Sequence, residues 1–306
     1  MGIPDKIQLL KRNEIDDSRW NNCIGNAHNG LLYAYTWYLD HFAENWFGLV
    51  FEEYHLVMAV PFKKKMGIPY IYHPPLVPQL GLMGDPITPE LLAAFINTIP
   101  GEYKLVDYPM NNQAIVSNKG YRVITAVNYT LSLQESYEEL KKRFNTNTTR
   151  NIAKNRDEGM MKPVETKEVI QLVKEQFTSF PKNVLAALDK YSVLNDQCPA
   201  INCCRNYGYM DKQGNLEAAA SIMFSHNRIY YLLASNSPEA KKTGASHKIV
   251  DAIIRDHAGR DLILDFEGSD IPGIAQFYNG FGATAGHYQR LYINKINFLL
   301  RWLLPK

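Results

Sequence analysis

The sequence predicts an α/β protein made of two similar domains, each with a mixed sheet and packed helices. Three observations support this prediction. The chain has 306 residues, more than a single hydrophobic core usually organises. Its composition, with 46% hydrophobic and 21% charged residues, is that of an ordinary globular protein. A succession of short apolar runs and helix-length stretches also occurs twice along the chain, which is typical of an internal duplication.

Two short apolar runs define the repeat. Residues 105–108 read Leu-Val-Asp-Tyr and residues 263–266 read Ile-Leu-Asp-Phe, an offset of 158 positions. Each run is typical of a buried strand, and each is followed by a helix-length stretch and a Gly-containing turn. A similar offset relates the segments upstream and downstream. We therefore expect one domain at residues 1–128 and a second at residues 129–306.

The other elements follow from local patterns. Alternating or β-branched runs predict strands, and apolar residues at helical spacing predict helices. Ser136 with Glu139 three residues later is typical of a capping box at a helix start. The predicted strands are 54–62, 68–72, 105–108, 122–133, 215–223, 228–234, 263–266 and 288–296. The predicted helices are 136–144, 150–159, 167–177, 183–191 and 246–257, and the turn of the first copy is 118–121.

Charge, cysteine content and hydropathy argue against several classes of function. With 33 basic and 31 acidic residues the net charge is +2, too small to predict unselective binding to DNA. Four cysteines without a Cys-x-x-Cys pair make neither a disulfide framework nor a zinc site, so we expect reduced thiols and no metal. No apolar run reaches the roughly 18 residues of a membrane span, and no signal peptide is recognisable. We therefore expect a cytoplasmic protein.

A strand, a glycine-containing turn and a helix start predict an anion-binding site in the second copy. The segment from Ser235 to Ser246 connects strand 228–234 to helix 246–257. The first N–H groups of a helix have no intrahelical acceptor and lie at the positive end of the helix dipole, so they bind phosphate groups. The residues predicted for this site are Lys241, Lys242, Thr243, Gly244, Ala245 and Ser246. The alternative is an ordinary helix start with two solvated lysines.

The same residues resemble a motif of the GNAT acyltransferase superfamily. Lys241-x-x-Gly244-x-Ser246 is similar to its pyrophosphate loop, Q/R-x-x-G-x-G/A, and residues 275–282 are similar to its A-x-x-x-Y-x-x-L-G-F ending. A GNAT unit repeated twice resembles the FemA/FemB/FemX aminoacyltransferase group, and residues 149–154 are similar to that group's R-x-I-x-K helix. The resemblance implies two tandem GNAT-like domains. It also implies acyl-CoA, such as acetyl-CoA, as co-substrate and an amine acceptor, such as an envelope sugar or peptide precursor.

Two departures from the Fem pattern favour acyl-CoA over aminoacyl-tRNA as the donor. The Fem group carries Phe-Lys where this chain has Phe277-Tyr278, and Tyr278 instead matches a tyrosine that acyl-CoA enzymes use as general acid. The pyrophosphate loop is also recognisable here, whereas glycyl- and alanyl-transferring Fem enzymes tend to have a degraded one. In the first copy, segment 72–79 is rich in proline, which has no N–H to offer. We therefore expect donor binding in the second domain alone, with the first as scaffold and acceptor wall.

Acyl transfer to an amine needs an acid for the leaving thiolate, a route for the amine proton and a donor to the carbonyl oxygen. Tyr278 is the predicted acid, because a phenol of pKa ~10 can protonate a thiolate; the alternative is a packed aromatic residue. Asp265 and Glu267 follow a strand and could relay the amine proton, with ordinary turn chemistry as the alternative. The expected donor to the carbonyl oxygen is a backbone N–H between Tyr230 and Ala234.

Further binding residues are predicted on two other segments. Tyr35 and Trp37 belong to an aromatic cluster that could stack on a sugar or peptide acceptor, or else belong to the core. Basic residues of segment 141–156, Arg150 and Lys154 among them, could hold a nucleotide-linked acceptor or a tRNA, or else form a solvated helix face. Three functions remain open: an acyl-CoA-dependent N-acyltransferase, an aminoacyl-tRNA-dependent aminoacyltransferase of the peptidoglycan type, and a non-catalytic binding protein with the GNAT fold.

Overall fold

A computed structural model describes residues 6–111, 121–154, 159–176, 180–197, 203–268 and 271–297. The predicted turn at 118–121 lies outside the described residues except for Tyr121, and so does Arg156. By its internal contacts the chain divides into two compact units. The first unit comprises residues 1–126 and 287–306, and the second comprises residues 127–286.

The chain forms both helices and strands, with short 3₁₀ turns at 12–14 and 32–34. In chain order they are β1 (Ile7–Lys11), α1 (Asp17–Asn26), α2 (Thr36–Phe42), β2 (Asn45–Phe51), β3 (Leu56–Lys65), β4 (Ile68–Ile71), β5 (Leu82–Gly84), α3 (Pro89–Thr98), β6 (Leu105–Pro109), β7 (Arg122–Ser132), α4 (Tyr137–Lys142), α5 (Thr146–Ala153), β8 (Gly159–Lys162), α6 (Thr166–Gln176), α7 (Lys182–Gln197), β9 (Cys204–Asp211), β10 (Leu216–Ser225), β11 (Arg228–Asn236), α8 (Ala240–Thr243), α9 (Ala245–His257), β12 (Ile263–Asp265), α10 (Pro272–Asn279) and β13 (Thr284–Asn294).

The sheet of the first unit has the strand order β1-β2-β3-β4-β6-β13, with β5 paired to β3. Strands β4 and β6 are parallel and the other neighbours are antiparallel. Central strands β2 and β3 are nearly continuous apolar runs, as expected for strands covered on both faces. Helix α1 packs closely on this sheet, because Trp20 is fully buried and a Cβ at Gly48 in β2 would stand 2.6 Å from its ring.

The sheet of the second unit has the order β7-β12-β11-β10-β9-β8. Strands β11 and β12 are parallel and the other neighbours are antiparallel, so both units contain mixed sheets and the predicted α/β class is confirmed. Helix α9 buries its apolar face in the core of this unit through Ile249, Val250, Ile253 and Ile254. That face repeats at helical spacing, which is why the sequence predicted the helix correctly.

The last strand of each predicted repeat pairs with a strand of the other repeat. Strand β7, which follows β6 in the chain, pairs with β12 of the second unit, with Leu131 opposite Leu264. Strand β13, which follows β12, pairs with β6 of the first unit, with Leu291 opposite Tyr108. The duplication itself stays a prediction.

Most predicted elements occur within a few residues of the expected bounds, with one clear exception. The helix expected at 150–159 is α5, which begins at Thr146 because the side chain of Asn145 caps it by accepting from Thr148 N at 2.7 Å. The predicted start of α4 is confirmed, since Ser136 Oγ accepts from Glu139 N at 3.3 Å.

The cysteines differ in part from expectation. Cys23 and Cys204 carry free thiols, whereas Cys203 is disulfide-bonded, so the expectation of reduced thiols is wrong at that position. In the part of the chain that the structure describes, no helix combines the length and the hydropathy that crossing a bilayer requires.

Candidate functional site

A cavity of about 610 Å³ lies in the second unit, where β11 extends past β12. The two parallel strands pair over three residues only, Arg228–Tyr230 against Ile263–Asp265, and β11 then continues to Asn236. The cavity wall consists of this extension, the start of α9, the helix α10 and the end of α5. A strand edge left by its neighbour can offer backbone N–H and C=O groups to a ligand.

The free end of β11 begins with a bulge. The register pairs Ile222 with Tyr231 but Ser221 with Leu233, so Leu232 is an extra residue in β11. A bulge increases the local twist and redirects backbone groups, and it often lies next to an active site. Here it lies where the paired part of the two parallel strands ends.

The direction of the N–H groups past the bulge follows from Asn236. Its N–H points away from β10, because it donates to Gln176 Oε1 at 3.0 Å. Alternate residues of a strand present their N–H groups to the same edge. The N–H group of Ala234 is therefore directed to the edge of β11 that β12 no longer covers, within the segment where the sequence predicted an oxyanion donor.

The turn before α9 is fixed by Gly244. This residue ends α8 and begins α9 with φ +72° and ψ +22°, a left-handed conformation that glycine adopts without strain. A Cβ at this position would overlap the carbonyl oxygen of Asn151, in the last turn of α5. Glycine also offers no side chain to cap α9, so the N–H groups of its first turn have no side-chain acceptor at the N-cap.

The six predicted loop residues have different surroundings. Three of them line the cavity: Lys241, Gly244 and Ser246. Ala245 is buried in the core, Lys242 is exposed, and Thr243 Oγ1 donates to the carboxylate of Glu217. The backbone of the loop is held from α5 as well, because Lys154 Nζ donates to the carbonyl oxygen of Lys241 at 3.3 Å.

Tyr278 of α10 lies in the cavity wall and is 9% exposed. Its ring stacks on Phe266 at 4.5 Å and lies 6.5 Å from the ring of Tyr231, nearly perpendicular to it. Burial raises the pKa of Tyr278 well above its usual value, and the nearby charges of Glu267 and Asp265 add to this effect. The phenol therefore stays protonated at neutral pH and can donate a hydrogen bond or a proton.

The two predicted carboxylates occupy different environments near Tyr278, and neither lines the cavity. Asp265 is 3% exposed and forms an ion pair with Arg228, Nη1 to Oδ2 2.6 Å. Its other oxygen accepts from the backbone N of Glu267 at 2.8 Å, so Asp265 holds the end of β12 and the start of the next turn. Glu267 is half-buried with φ +63°.

Several lining residues were not identified from the sequence, and His247 is the most distinctive. It follows Ser246 in the first turn of α9, and its ring packs at 4.8 Å against Phe277. Burial, with a smaller contribution from the charge of Lys154, lowers the pKa of His247 to about 4. The imidazole is therefore neutral at physiological pH. A histidine in the first turn of a predicted anion-binding helix is a signal that sequence reasoning could have used.

Asn151 and Gln176 also line the cavity, and no sequence signal points to them. Gln176 Oε1 accepts from both Ser235 Oγ, at 2.6 Å, and Asn236 N. Since the oxygen is engaged twice, the amide NH₂ of Gln176 remains to donate elsewhere.

The predicted acceptor residues do not belong to this cavity. Tyr35 and Trp37 lie in the first unit, half-buried, with their rings stacked at 5.8 Å. Arg150 is exposed on α5 and donates to Asn147 Oδ1 at 2.9 Å. Lys154, by contrast, lies at the loop described above.

The basic residues of segment 141–154 are largely engaged within the chain. Lys142 pairs with Glu139 at 2.6 Å and Arg143 pairs with Glu135. Lys141 lies over the ring of Tyr137. Exposed pairs of this kind are weak, yet they reduce the net positive charge that this helix face presents to a phosphate backbone.

Comparison with known proteins identifies the fold. No family model and no curated protein matches the sequence. Among solved structures the fold is that of Fem/GNAT-like proteins. FemX superposes with a TM-score of 0.68 at 12% identity, over 97% of this chain and 99% of FemX. L-PGS from Bacillus licheniformis superposes with a TM-score of 0.54 at 11% identity, over 92% of each chain.

A conserved protein of unknown function from Bacteroides thetaiotaomicron gives a TM-score of 0.57 at 11% identity, over 92% of this chain and 93% of that one. At such low identities these similarities establish the fold. The predicted resemblance to the Fem group is therefore confirmed for the fold, and the chemistry has to be argued from the site.

Proposed function

We propose that this protein is an N-acyltransferase that transfers an acyl group from acyl-CoA, acetyl-CoA in the simplest case, to an amine. The observation that carries the proposal is the composition of the 610 Å³ cavity, where a bulged strand edge, a helix start without a side-chain cap and the phenol of Tyr278 line one space. Its volume is within the range of small-molecule sites.

The donor would bind in two parts. Its diphosphate would lie at the first turn of α9, where the N–H groups, the helix dipole and the ammonium group of Lys241 attract anions. Ser246 adds a hydroxyl at the same place. The pantetheine chain would lie along the free edge of β11, where its amides can hydrogen-bond to the strand as a short additional strand would.

The reaction follows from the groups along this path. The neutral amine attacks the thioester carbon, and the carbonyl oxygen becomes an oxyanion that the N–H of Ala234 can stabilise. The C–S bond then breaks, and Tyr278 gives its proton to the sulfur. The amine nitrogen loses one proton, which returns to Tyr278 through water and Glu267. Asp265 would act as a positioning residue, because it holds the backbone of Glu267.

The acceptor in this proposal is a small-molecule or envelope-precursor amine. The stacking role predicted for Tyr35 and Trp37 stays a separate prediction, because these residues lie in the first unit and outside the cavity. Arg150 remains a proposed contact for an anionic acceptor, because its side chain is exposed to solvent.

A second candidate function is aminoacyl transfer from aminoacyl-tRNA. It is favoured by the superposition on FemX, which spans nearly the whole of both chains. It is weakened by the engagement of Lys142 and Arg143 in ion pairs, since a tRNA contact depends on available cations.

Thermal denaturation with acetyl-CoA and longer acyl-CoA tests the donor. A ligand at about 100 times its dissociation constant adds roughly 2.7 kcal/mol of stability. Ser246→Glu places a negative charge in the cavity and should abolish the shift. Lys242→Gln changes the net charge by the same amount on an exposed residue outside the cavity and should retain it.

The three possible results point to three different functions. A shift that Ser246→Glu removes and Lys242→Gln keeps would support an acyl-CoA donor and justify a screen of amine acceptors. If no acyl-CoA raises the melting temperature and the protein binds aminoacyl-tRNA at low salt, aminoacyl transfer from tRNA replaces acyl-CoA-dependent transfer as the proposed function. If neither ligand binds, the protein is a non-catalytic relative.

A further inference from the structure

The turn between β3 and β4 exposes a large apolar side chain. Lys65 pairs with Ile68, so Met66 and Gly67 form a two-residue hairpin turn. Met66 is 73% exposed, more than any other large hydrophobic residue that the structure describes. This turn belongs to the first unit, on residues that the proposed activity does not use.

Neither the backbone nor the solvent favours methionine at this position. Met66 has φ +50° and Gly67 has φ +80°. Two-residue turns with positive φ at both positions favour Asn-Gly or Gly-Gly, because other side chains crowd the backbone there. A methionine that is both exposed and held in this conformation is a backbone outlier from which a functional role can be proposed.

Four exposed lysines lie at the same end of the sheet: Lys64, Lys65, Lys104 and Lys295. Strand β4 begins where β3 ends, and β6 runs parallel to β4. Strand β13 runs antiparallel to β6 and ends beside the start of β6, where Lys295 N donates to Lys104 O at 2.8 Å. Adjacent strands lie about 4.8 Å apart, so the lysines span roughly 15 Å from β3 to β13. We call Met66 and these four lysines the basic sheet end.

The charges of the basic sheet end are available to a partner. None of its four lysines forms an ion pair with another described residue. The neighbouring Lys63 differs, since it pairs with Glu44 at 3.2 Å and lies over the ring of Tyr72. Among the described residues, Glu102 is a further carboxylate close in sequence to these lysines, two residues before Lys104. The surface therefore has a clear excess of positive charge around one apolar tip.

We propose that the basic sheet end binds the surface of an anionic phospholipid bilayer, with Met66 inserted at the headgroup level. An apolar tip among cations matches such a surface, where lysines interact with lipid phosphates and an apolar side chain leaves water. Nucleic acid is the less suitable partner, because single strands are held by aromatic stacking and duplexes by phosphate contacts, and neither uses an exposed thioether.

Sedimentation of the full chain with vesicles tests this proposal. Vesicles of equal parts phosphatidylglycerol and phosphatidylcholine are compared with vesicles of phosphatidylcholine alone, at low and at high salt. We expect the anionic vesicles to retain the protein at low salt. High salt should release much of it, because the lysine contacts are screened.

Three variants separate charge from apolar contact. Lys64→Glu/Lys65→Glu should weaken partition at least roughly 30-fold, because each lysine near an anionic bilayer is worth about a factor of five. Met66→Ser should weaken it roughly tenfold. The matched control is Lys190→Glu/Lys212→Glu, which makes the same charge change on exposed lysines of the second unit and should partition like the wild type.

Three results would overturn the proposal. The first is an absence of retention of the wild type on anionic vesicles at low salt, and the second is equal retention of Lys64→Glu/Lys65→Glu. The third is loss of binding in the lysine variant with full binding by Met66→Ser, which would define a surface that recognises charge alone, as a nucleic-acid-binding surface does. Unchanged melting temperatures would exclude misfolding of the variants.

Discussion

The carbonyl oxygen of Asn151 occupies the space into which a side chain at Gly244 would project. The end of α5 is therefore in contact with the turn that begins α9, and Lys154 of the same segment donates to the carbonyl oxygen of Lys241. The proposed anion site is thus shaped by a helix 93 residues earlier in the chain. Any change that moves α5 should also change ligand binding at the turn.

Gly244→Ala should destabilise the protein by at least about 3 kcal/mol. A left-handed residue with a Cβ costs roughly 1–2 kcal/mol, and the overlap with Asn151 adds to this. Gly259→Ala is the matched control, because Gly259 has a similar φ of +75° and open space around its Cβ position. It should cost only the backbone contribution. Urea denaturation measures both, and equal losses would refute the importance of the Asn151 contact.

Tyr278→Phe should lower kcat roughly 10²- to 10⁴-fold, the usual loss when a general acid is removed. The dissociation constant of acetyl-CoA should stay nearly the same, since the ring and its stacking on Phe266 remain. Tyr129→Phe removes a phenol from the same aromatic cluster, 5.8 Å away ring to ring and outside the cavity lining, and should leave kcat unchanged. Steady-state kinetics compare the variants. Equal activity of Tyr278→Phe and wild type would exclude the acid role.

Arg228→Met should destabilise the second unit by about 3 kcal/mol, because it leaves the buried carboxylate of Asp265 without its ion-pair partner. Adding Asp265→Asn should recover part of this loss, since the uncompensated charge is then removed. Chemical denaturation of the single and double variants forms a double-mutant cycle. A double variant less stable than Arg228→Met alone would contradict this description of the pair.

His257 should make the protein sensitive to acid. It is 1% exposed, its Nδ1 has no hydrogen-bond partner among the described residues, and burial lowers its pKa from 6.5 to about 4. Below pH 6.5 the unfolded chain binds a proton that the folded chain refuses, so stability falls as the pH drops from 6.5 toward 4.

Melting temperatures of the wild type and His257→Gln between pH 7 and pH 5 measure this contribution. The variant should lose less stability over that interval. His287→Gln alters an exposed histidine and should follow the wild type. Identical pH profiles for all three proteins would assign the acid sensitivity to other groups, His247 first among them because its pKa is lowered in the same direction.

The fold was predictable because most of its strands and helices follow from local patterns of apolar residues in the sequence. Runs such as 105–108 and 263–266 are buried strands in the structure, and the apolar face of α9 repeats at helical spacing. The error at α5 has a local cause, since the cap that starts the helix is Asn145, outside the predicted segment 150–159.

The candidate site was predictable only in part. Lys241, Gly244 and Ser246 could be found because a strand, a turn and a helix start are consecutive in sequence. Asn151 and Gln176 line the cavity because of tertiary packing. Tertiary packing produces no recognisable residue spacing in the local sequence. Asp265 shows a related limit, because a strand-ending aspartate has the same local pattern whether it faces a ligand or Arg228.

The pairing of β7 with β12 and of β13 with β6 has a consequence for dissecting this protein. A chain cut between residues 128 and 129 would give two fragments that each lack a strand carried by the other. Fragment 1–128 would have β6 without β13, and fragment 129–306 would have β13 without β6, although it would keep residues 130–132 of β7 beside β12. Open sheet edges of this kind associate with one another. Expressed alone, each fragment should aggregate, whereas co-expression should let the two complement each other as a split protein.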